Sequence, residues 1–127
     1  MAYAYRYSRA SPDITVWLNV PIPSTFRRVG IRTNVHLSSD WNHFAFVVDR
    51  AAVDELRFYL NGSLTSSRTV VLDGASLDSG RPLTLNATGA PAGDPTLVDE
   101  FTIYRRALDA SEIQAIVDAG PAGKEGP

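Results

Sequence analysis

Along the chain, apolar residues recur at every second position in short runs separated by Gly, Pro, Asn, Asp and Ser, the pattern of antiparallel strands joined by turns. Tyr3, Tyr5 and Tyr7 alternate with small or charged residues and predict a first strand with an aromatic face, suited to sheet packing or to a sugar-stacking platform. Ile14, Val16, Leu18 and Val20 alternate with Thr15, Trp17 and Asn19 in a second strand. Pro21 and Pro23 should end that run, because proline cannot donate to a ladder. Val29, Ile31, Thr33, Val35 and Leu37 form a third alternating row, and Ser38-Ser39-Asp40 turns into the next element.

The segment from Trp41 to Gly62 organises the rest. Between Trp41 and Asp49 nearly every residue is apolar, with Phe44, Phe46 and Val48 on one face and Trp41, Ala45 and Val47 on the other, which predicts a strand covered on both sides. Leu56, Phe58 and Leu60 then alternate with Arg57 and Tyr59, as in a half-buried strand. Asn61-Gly62 tolerates positive φ and signals a tight hairpin. A two-residue loop would set Leu60 opposite Ser63. A three-residue loop sets Leu60 opposite Leu64, keeps Val70 and Leu72 in phase, and is the expected register because it joins apolar residues. Leu64–Leu72 is the returning strand, Asp73-Gly74 a turn, Leu83–Leu85 a short strand, residues 87–95 a loop, and Leu97–Tyr104 the last strand.

On that last strand Leu97, Asp99, Phe101 and Ile103 share a face, and Val98, Glu100, Thr102 and Tyr104 share the other. Asp99 thus lies in line with core residues, and a buried carboxylate needs an Arg, a set of turn N–H groups or a cation. A structural carboxylate and a Ca2+ ligand are the two readings, and Asp99 is the candidate metal-ligating residue. One helix follows: Asp109 is a suitable N-cap, Glu112 at N3 completes a capping box, Leu108 can staple to Ile113, and Ile113, Ile116 and Val117 form its apolar stripe before Gly120.

Composition narrows the functional classes. A chain of 127 residues can bury a core as one domain, and without cysteine it has neither disulfides nor thiolate metal sites. A net charge of -2 excludes a broad electrostatic footprint for nucleic acid or anionic membrane. The N-terminal MAYAYRYSR has no continuous apolar stretch, so a secretory signal would lie outside this sequence, and no run is apolar enough to span a membrane. Among the basic residues only Lys124 is a lysine, and Arg27-Arg28 and Arg105-Arg106 read as solvated pairs. Asn61-Gly-Ser63 and Asn86-Ala-Thr88 match the glycosylation sequon, which matters only in a eukaryotic secretory pathway.

The order WNHFAFVVD, LRFYLNGSL, a strand near LTL, and VDEFTIYRRALDASEIQAIVDAG resembles the laminin G-like group of concanavalin A-like jelly rolls, over about Trp41 to Gly120. That resemblance implies an all-β, antiparallel jelly-roll sandwich with one short C-terminal helix. It also implies an extracellular module that binds sugars or proteins or serves as a structural unit, in some members with calcium at a sheet rim. Here Asn86 stands where the family often has glycine, and Asp94 is the only acidic candidate in the rim loop. Family members usually begin with further strands, so the sandwich is expected either to be trimmed or to be completed by something else, such as a second copy.

Catalysis is not expected. Glycosidases on this fold set carboxylates at alternate positions of one strand face, whereas Asp99 and Glu100 are neighbours facing opposite ways, and Asp49, Asp54 and Glu55 lie at strand ends or in a loop, where solvated charge is the expected role. His36 and His43 accompany no nucleophile elbow, and two histidines without cysteine make a poor zinc set. His43 reads as a hydrogen-bonded core residue. Residues 120–127, GPAGKEGP, carry glycine at 120, 123 and 126, which fits either a collagen-like Gly-X-Y start or a flexible tail after a capping glycine. The expected organisation is a sandwich over 1–120 and a tail over 121–127. The expected role is a secreted or cell-surface adhesion or assembly module that trimerises and registers a collagen-like or multidomain protein. The alternative is a lectin-like module holding a glycan, to which surface aromatics such as Trp17, Tyr5 and Tyr59 would point.

Overall fold

The computed structural model describes residues 3–8, 13–22, 24–34, 41–78 and 100–120. Within them lie six strands and one helix: β1 (Tyr3–Ser8), β2 (Asp13–Ile22), β3 (Thr25–Asn34), β4 (Phe44–Asp49), β5 (Glu55–Leu60), β6 (Ser63–Thr69) and α1 (Ala110–Ala119). They form two antiparallel sheets ordered β1-β2-β3 and β4-β5-β6, a mostly β sandwich of jelly-roll type with a short C-terminal helix. The inner row of β2, Ile14, Val16, Leu18 and Val20, is buried as its alternation predicts. Ile14, Val16 and Ile31 pack on Phe58 and Phe46, while Leu18 and Val20 pack on Leu56, Val70 and Leu72. The N-terminal sheet therefore covers the face of β4 and β5 for which the sequence suggested a second copy.

The central sheet is covered on its other face too. Val47 and Tyr59 are buried with Leu108 and Ile113 of the helical segment, and Ala45 and Ile116 pack around them. The double-sided burial expected of β4 holds from Ala45 to Val48, but Trp41 precedes the strand and is 65% exposed. β5, expected to be half-buried, is covered on both faces, because the helix lies over the row that holds Tyr59.

The hairpin register differs from the expectation. Asn61 and Gly62, both at positive φ, form a two-residue loop and Leu60 pairs with Ser63. The pairing then slips, from Tyr59↔Leu64 to Phe58↔Ser66, so that Thr65 is an added residue at a bulge. Turn geometry fixed the loop and the bulge repaired the phase: without it Val71 would face the core, whereas Val70 and Leu72 are buried and Val71 is exposed. Asn61 also ties the turn to the segment before β4. Its backbone N–H donates to His43 O at 2.8 Å, and its Oδ1 accepts the His43 N–H at 2.8 Å.

Other boundaries move for local reasons. β2 runs through Pro21, which pairs with Phe26 beyond Leu18, the last β2 residue paired with β1, so the missing N–H falls where β3 is the only recorded neighbour. β3 begins at Thr25 rather than near Val29, directly after Ser24 turns the chain at φ 71°. Residues 100–104 are not a strand: Glu100 sits at φ 56°, and Phe101 and Ile103 are exposed instead of continuing the core row. Val35, Leu37, Leu83–Leu85 and residues 121–127, with their Gly-X-Y reading, lie outside the described residues. The helix start is as expected, with Asp109 and Glu112 in a reciprocal capping box and Leu108 and Ile113 stapled in one cluster.

Candidate ligand-binding groove

Because β2 buries one row of side chains, its other row faces away from the core. Thr15 pairs with Arg32, Trp17 with Gly30 and Asn19 with Arg28, so β3 contributes two arginines and a glycine to this outer face. Thr15, Trp17, Arg28, Gly30, Ile31, Arg32 and Arg68 line an open depression of about 460 Å3. Trp17 is half-buried, and the Arg28 guanidinium lies over its indole, 5.0 Å from the ring centroid. Gly30 makes this possible. A Cβ there would stand 2.9 Å from the Trp17 Cβ and 2.7 Å from Val16 O, so any other residue would push against the indole's base.

The rim comes from the other sheet. Arg68 of β6 donates from Nη1 to Gly30 O at 2.7 Å, and Arg27 donates to Val71 O nearby. An edge carbonyl without a strand partner needs such a donor, so these arginines close β3 against β6. One N–H satisfies Gly30 O. The rest of the Arg68 fork remains for another acceptor.

Among the described residues that line the depression, three are arginines and none is a carboxylate. Three arginines outside it meet acid. Arg57 is held by Asp49 at 3.2 Å and Glu55 at 3.4 Å, Arg50 by Asp54 at 3.7 Å, and Arg106 by Glu112. The Glu112 carboxyl is consequently held below its ordinary value, first by Arg106, and the Asp109 carboxyl by the Ser111 hydroxyl and the Glu112 backbone N–H.

The other residues singled out by sequence divide as follows. Asp99, Asp94, Asn86 and His36 lie outside the described residues, as does the side chain of Tyr5, whose backbone pairs with Val16 in the core row rather than beside Trp17. Tyr59 is only 3% exposed and cannot serve as a surface platform. His43 is half-buried, with its backbone engaged by Asn61. Asp49 and Glu55 hold Arg57, and Asp54 Oδ2 accepts the Leu72 N–H at 2.9 Å, so these acids are structural rather than solvated. Arg27 and Arg106 are likewise anchored. Among the described residues no group of three His, Cys, Asp or Glu is placed to hold a metal ion, and no helix is long and apolar enough to cross a membrane. Sequence reasoning found Trp17 but missed Arg28, Arg32 and Arg68. The alternation of Arg28, Gly30 and Arg32 opposite Trp17 was a usable signal for the first two; nothing local marks Arg68.

An antiparallel sandwich with a capped helix is the class that this geometry defines. The Laminin_G_3 family of the concanavalin A-like lectin/glucanases superfamily matches residues 3–114, and the chain belongs to that family. The match extends through β1, β2 and β3, well before the segment that carries the resemblance in sequence. No curated protein matches the chain. A crystal structure of an S-layer domain-containing protein from Clostridium thermocellum is similar at 16% identity and a TM-score of 0.41, covering 90% of this chain and 61% of that one. The chain thus spans less than two thirds of that structure.

Proposed function

We propose that the chain is a non-catalytic, extracellular, lectin-like module that holds a saccharide on the outer face of the β1-β2-β3 sheet. The observation that carries this is Trp17, half-buried in the lining of a depression where the neighbouring Gly30 is bare backbone. Indole faces stack on the C–H faces of sugar rings, and surrounding donors fix orientation. Membership in a superfamily named for lectins and glucanases supports saccharide as the ligand class. Among its described residues the lining offers no acid and no nucleophile with a base, which supports binding over hydrolysis. Titration of the chain with a panel of neutral and acidic oligosaccharides, alongside a release assay for reducing ends, tests both halves. Binding without turnover is expected, and reducing ends released by the chain would overturn the non-catalytic half.

A second reading, a trimer-forming assembly module, is favoured by the exposure of Trp41, Phe44, Leu64, Phe101, Ile103 and Tyr104. Its test is light scattering over a wide concentration range, for the chain and for a version ending at Gly120. A monomer at high concentration removes this reading. For Asp99 we propose the structural role over Ca2+ ligation. Asp99→Asn should then lower stability by about 1–3 kcal/mol, with or without EDTA, as loss of one charge-assisted set of hydrogen bonds does. Destabilisation of the wild type by EDTA, absent in the variant, would establish calcium instead.

A further inference from the structure

Building on the saccharide reading above, we infer that the ligand of the β2–β3 depression is an acidic saccharide, its ring on Trp17 and its carboxylate or sulfate gripped by Arg28 and Arg68.

The argument begins with charge. This chain carries 14 acidic residues against 12 basic ones, yet the depression gathers Arg28, Arg32 and Arg68 with no carboxylate among the described lining residues. The contacts that fix two of these arginines do not neutralise them. Arg28 rests on an indole and Arg68 on a backbone carbonyl, whereas Arg57, Arg50 and Arg106 each meet a carboxylate. A guanidinium held in place by neutral partners keeps its full charge and most of its N–H fork, and that fork matches carboxylate and sulfate oxygens in pairs. Both side chains are also ordered beforehand. Arg28 is pinned over Trp17, and Arg68 is tied to β3, so less entropy is lost when an anion arrives.

Size and shape point to a sugar unit. A depression of about 460 Å3 falls in the range of small-ligand sites, enough for one or two rings. The Thr15 hydroxyl adds a donor and an acceptor at its margin. A nucleic-acid strand is the competing polyanion, but its grooves track successive phosphates with spaced cations, while here the arginines converge around one indole. The remainder of the chain, acidic on balance, would oppose a long polyanion that ran past the depression.

The test is calorimetric titration of the intact chain with trigalacturonate, its methyl ester, maltotriose, sulfated maltotriose and an oligothymidylate. The free acid or the sulfated sugar should bind at least about tenfold more tightly than its neutral counterpart, as loss of a charge-assisted pair implies. Which of the two binds tells carboxylate from sulfate. Arg28→Gln should weaken the acidic sugar about tenfold and leave the neutral one nearly unchanged. Arg105→Gln, on the helix side of the molecule, removes the same charge and should change neither. Trp17→Ala should abolish binding of every saccharide, and Trp17→Phe, which retains a ring over Gly30, keeps the comparison open if the alanine variant does not fold. Equal affinity for acid and ester would overturn the inference while leaving a saccharide site standing. Binding of no saccharide would remove both. Tighter binding of the oligothymidylate than of any sugar would assign the groove to nucleic acid.

Discussion

The two sheets have the same size and the same antiparallel topology, yet they use their faces differently. In the N-terminal sheet β2 buries every second residue, and the alternate row, Thr15, Trp17 and Asn19, stays partly open. In the central sheet β5 buries Leu56 and Phe58 against the first sheet and Tyr59 against the helix. The central sheet is a packed middle layer, and the outer sheet has a face to spare. A site grafted on that spare face, with Gly30 clearing the floor and arginines on the rim, leaves the core rows intact. Arginine use differs with the site: on the middle layer Arg57 is neutralised by Asp49 and Glu55, whereas in the groove Arg28 of β3 and Arg68 of β6 are not paired with acids in the contacts that fix them.

An alanine scan along β2 and β5 would break this comparison most severely. On β5 both Phe58→Ala and Tyr59→Ala should cost about 3–5 kcal/mol, since each empties a filled layer. On β2 only the inward row should respond: Val16→Ala should cost about 1–3 kcal/mol and Thr15→Ala less than about 0.5 kcal/mol. Denaturant melts give these values directly. A β5 profile that alternates like that of β2 would mean that the helix does not cover the Tyr59 row.

A smaller effect is expected where the middle layer meets the helix at the hairpin. Gly62 sits at φ 85°, and a Cβ there would come within 2.4 Å of Gln114 Oε1. Gly62→Ala therefore adds left-handed strain of about 1–2 kcal/mol and displaces a side chain of α1. Pairing it with Gln114→Ala separates the causes. The second substitution should restore the part due to the clash and leave the backbone strain, whereas full restoration would mean that the turn tolerates alanine.

Much of this architecture was legible in the sequence, and the failures have local causes. Period-2 rows identified the strands, because burial of one face leaves that imprint whatever the topology, and Asp109 with Glu112 marked the helix start by capping chemistry. The hairpin register was misread because matching Leu60 to Leu64 ignored the geometry that Asn61-Gly62 imposes, and a bulge at Thr65 leaves no apolar signature. Residues 100–104 alternate as well as any strand. A single left-handed residue, Glu100, undoes that alternation, and pattern alone cannot foresee it. Of the groove, Trp17 stood out as an aromatic on a polar row, but Arg68 reaches it across a sequence separation of 38 residues from Gly30. Such a pairing exists only after the sheets have met.

The gentlest probe of the comparison is acid, because it acts on the helix that covers one layer and not on the groove of the other. Asp109 accepts from the Ser111 hydroxyl at 2.6 Å and from the Glu112 N–H at 2.8 Å, and Glu112 accepts from Arg106 and from the Asp109 N–H at 2.9 Å. Both carboxyls are held below their ordinary values by these donors. A group with a depressed folded-state pKa contributes stability that is complete above its unfolded value, about 4 for a carboxylate, and is lost as pH falls through the folded value. Melting temperature should therefore be flat from neutrality down to about pH 5 and decline below about pH 4. In a variant carrying Asp109→Asn and Glu112→Gln the decline should be shallower, and the starting temperature lower, because neutral amides cap less well than carboxylates near a helix N-terminus. The effect is modest, since Asp109 is exposed and Glu112 lies partly open to solvent. An unchanged acid slope in that variant would mean that the capping box does not set the acid sensitivity.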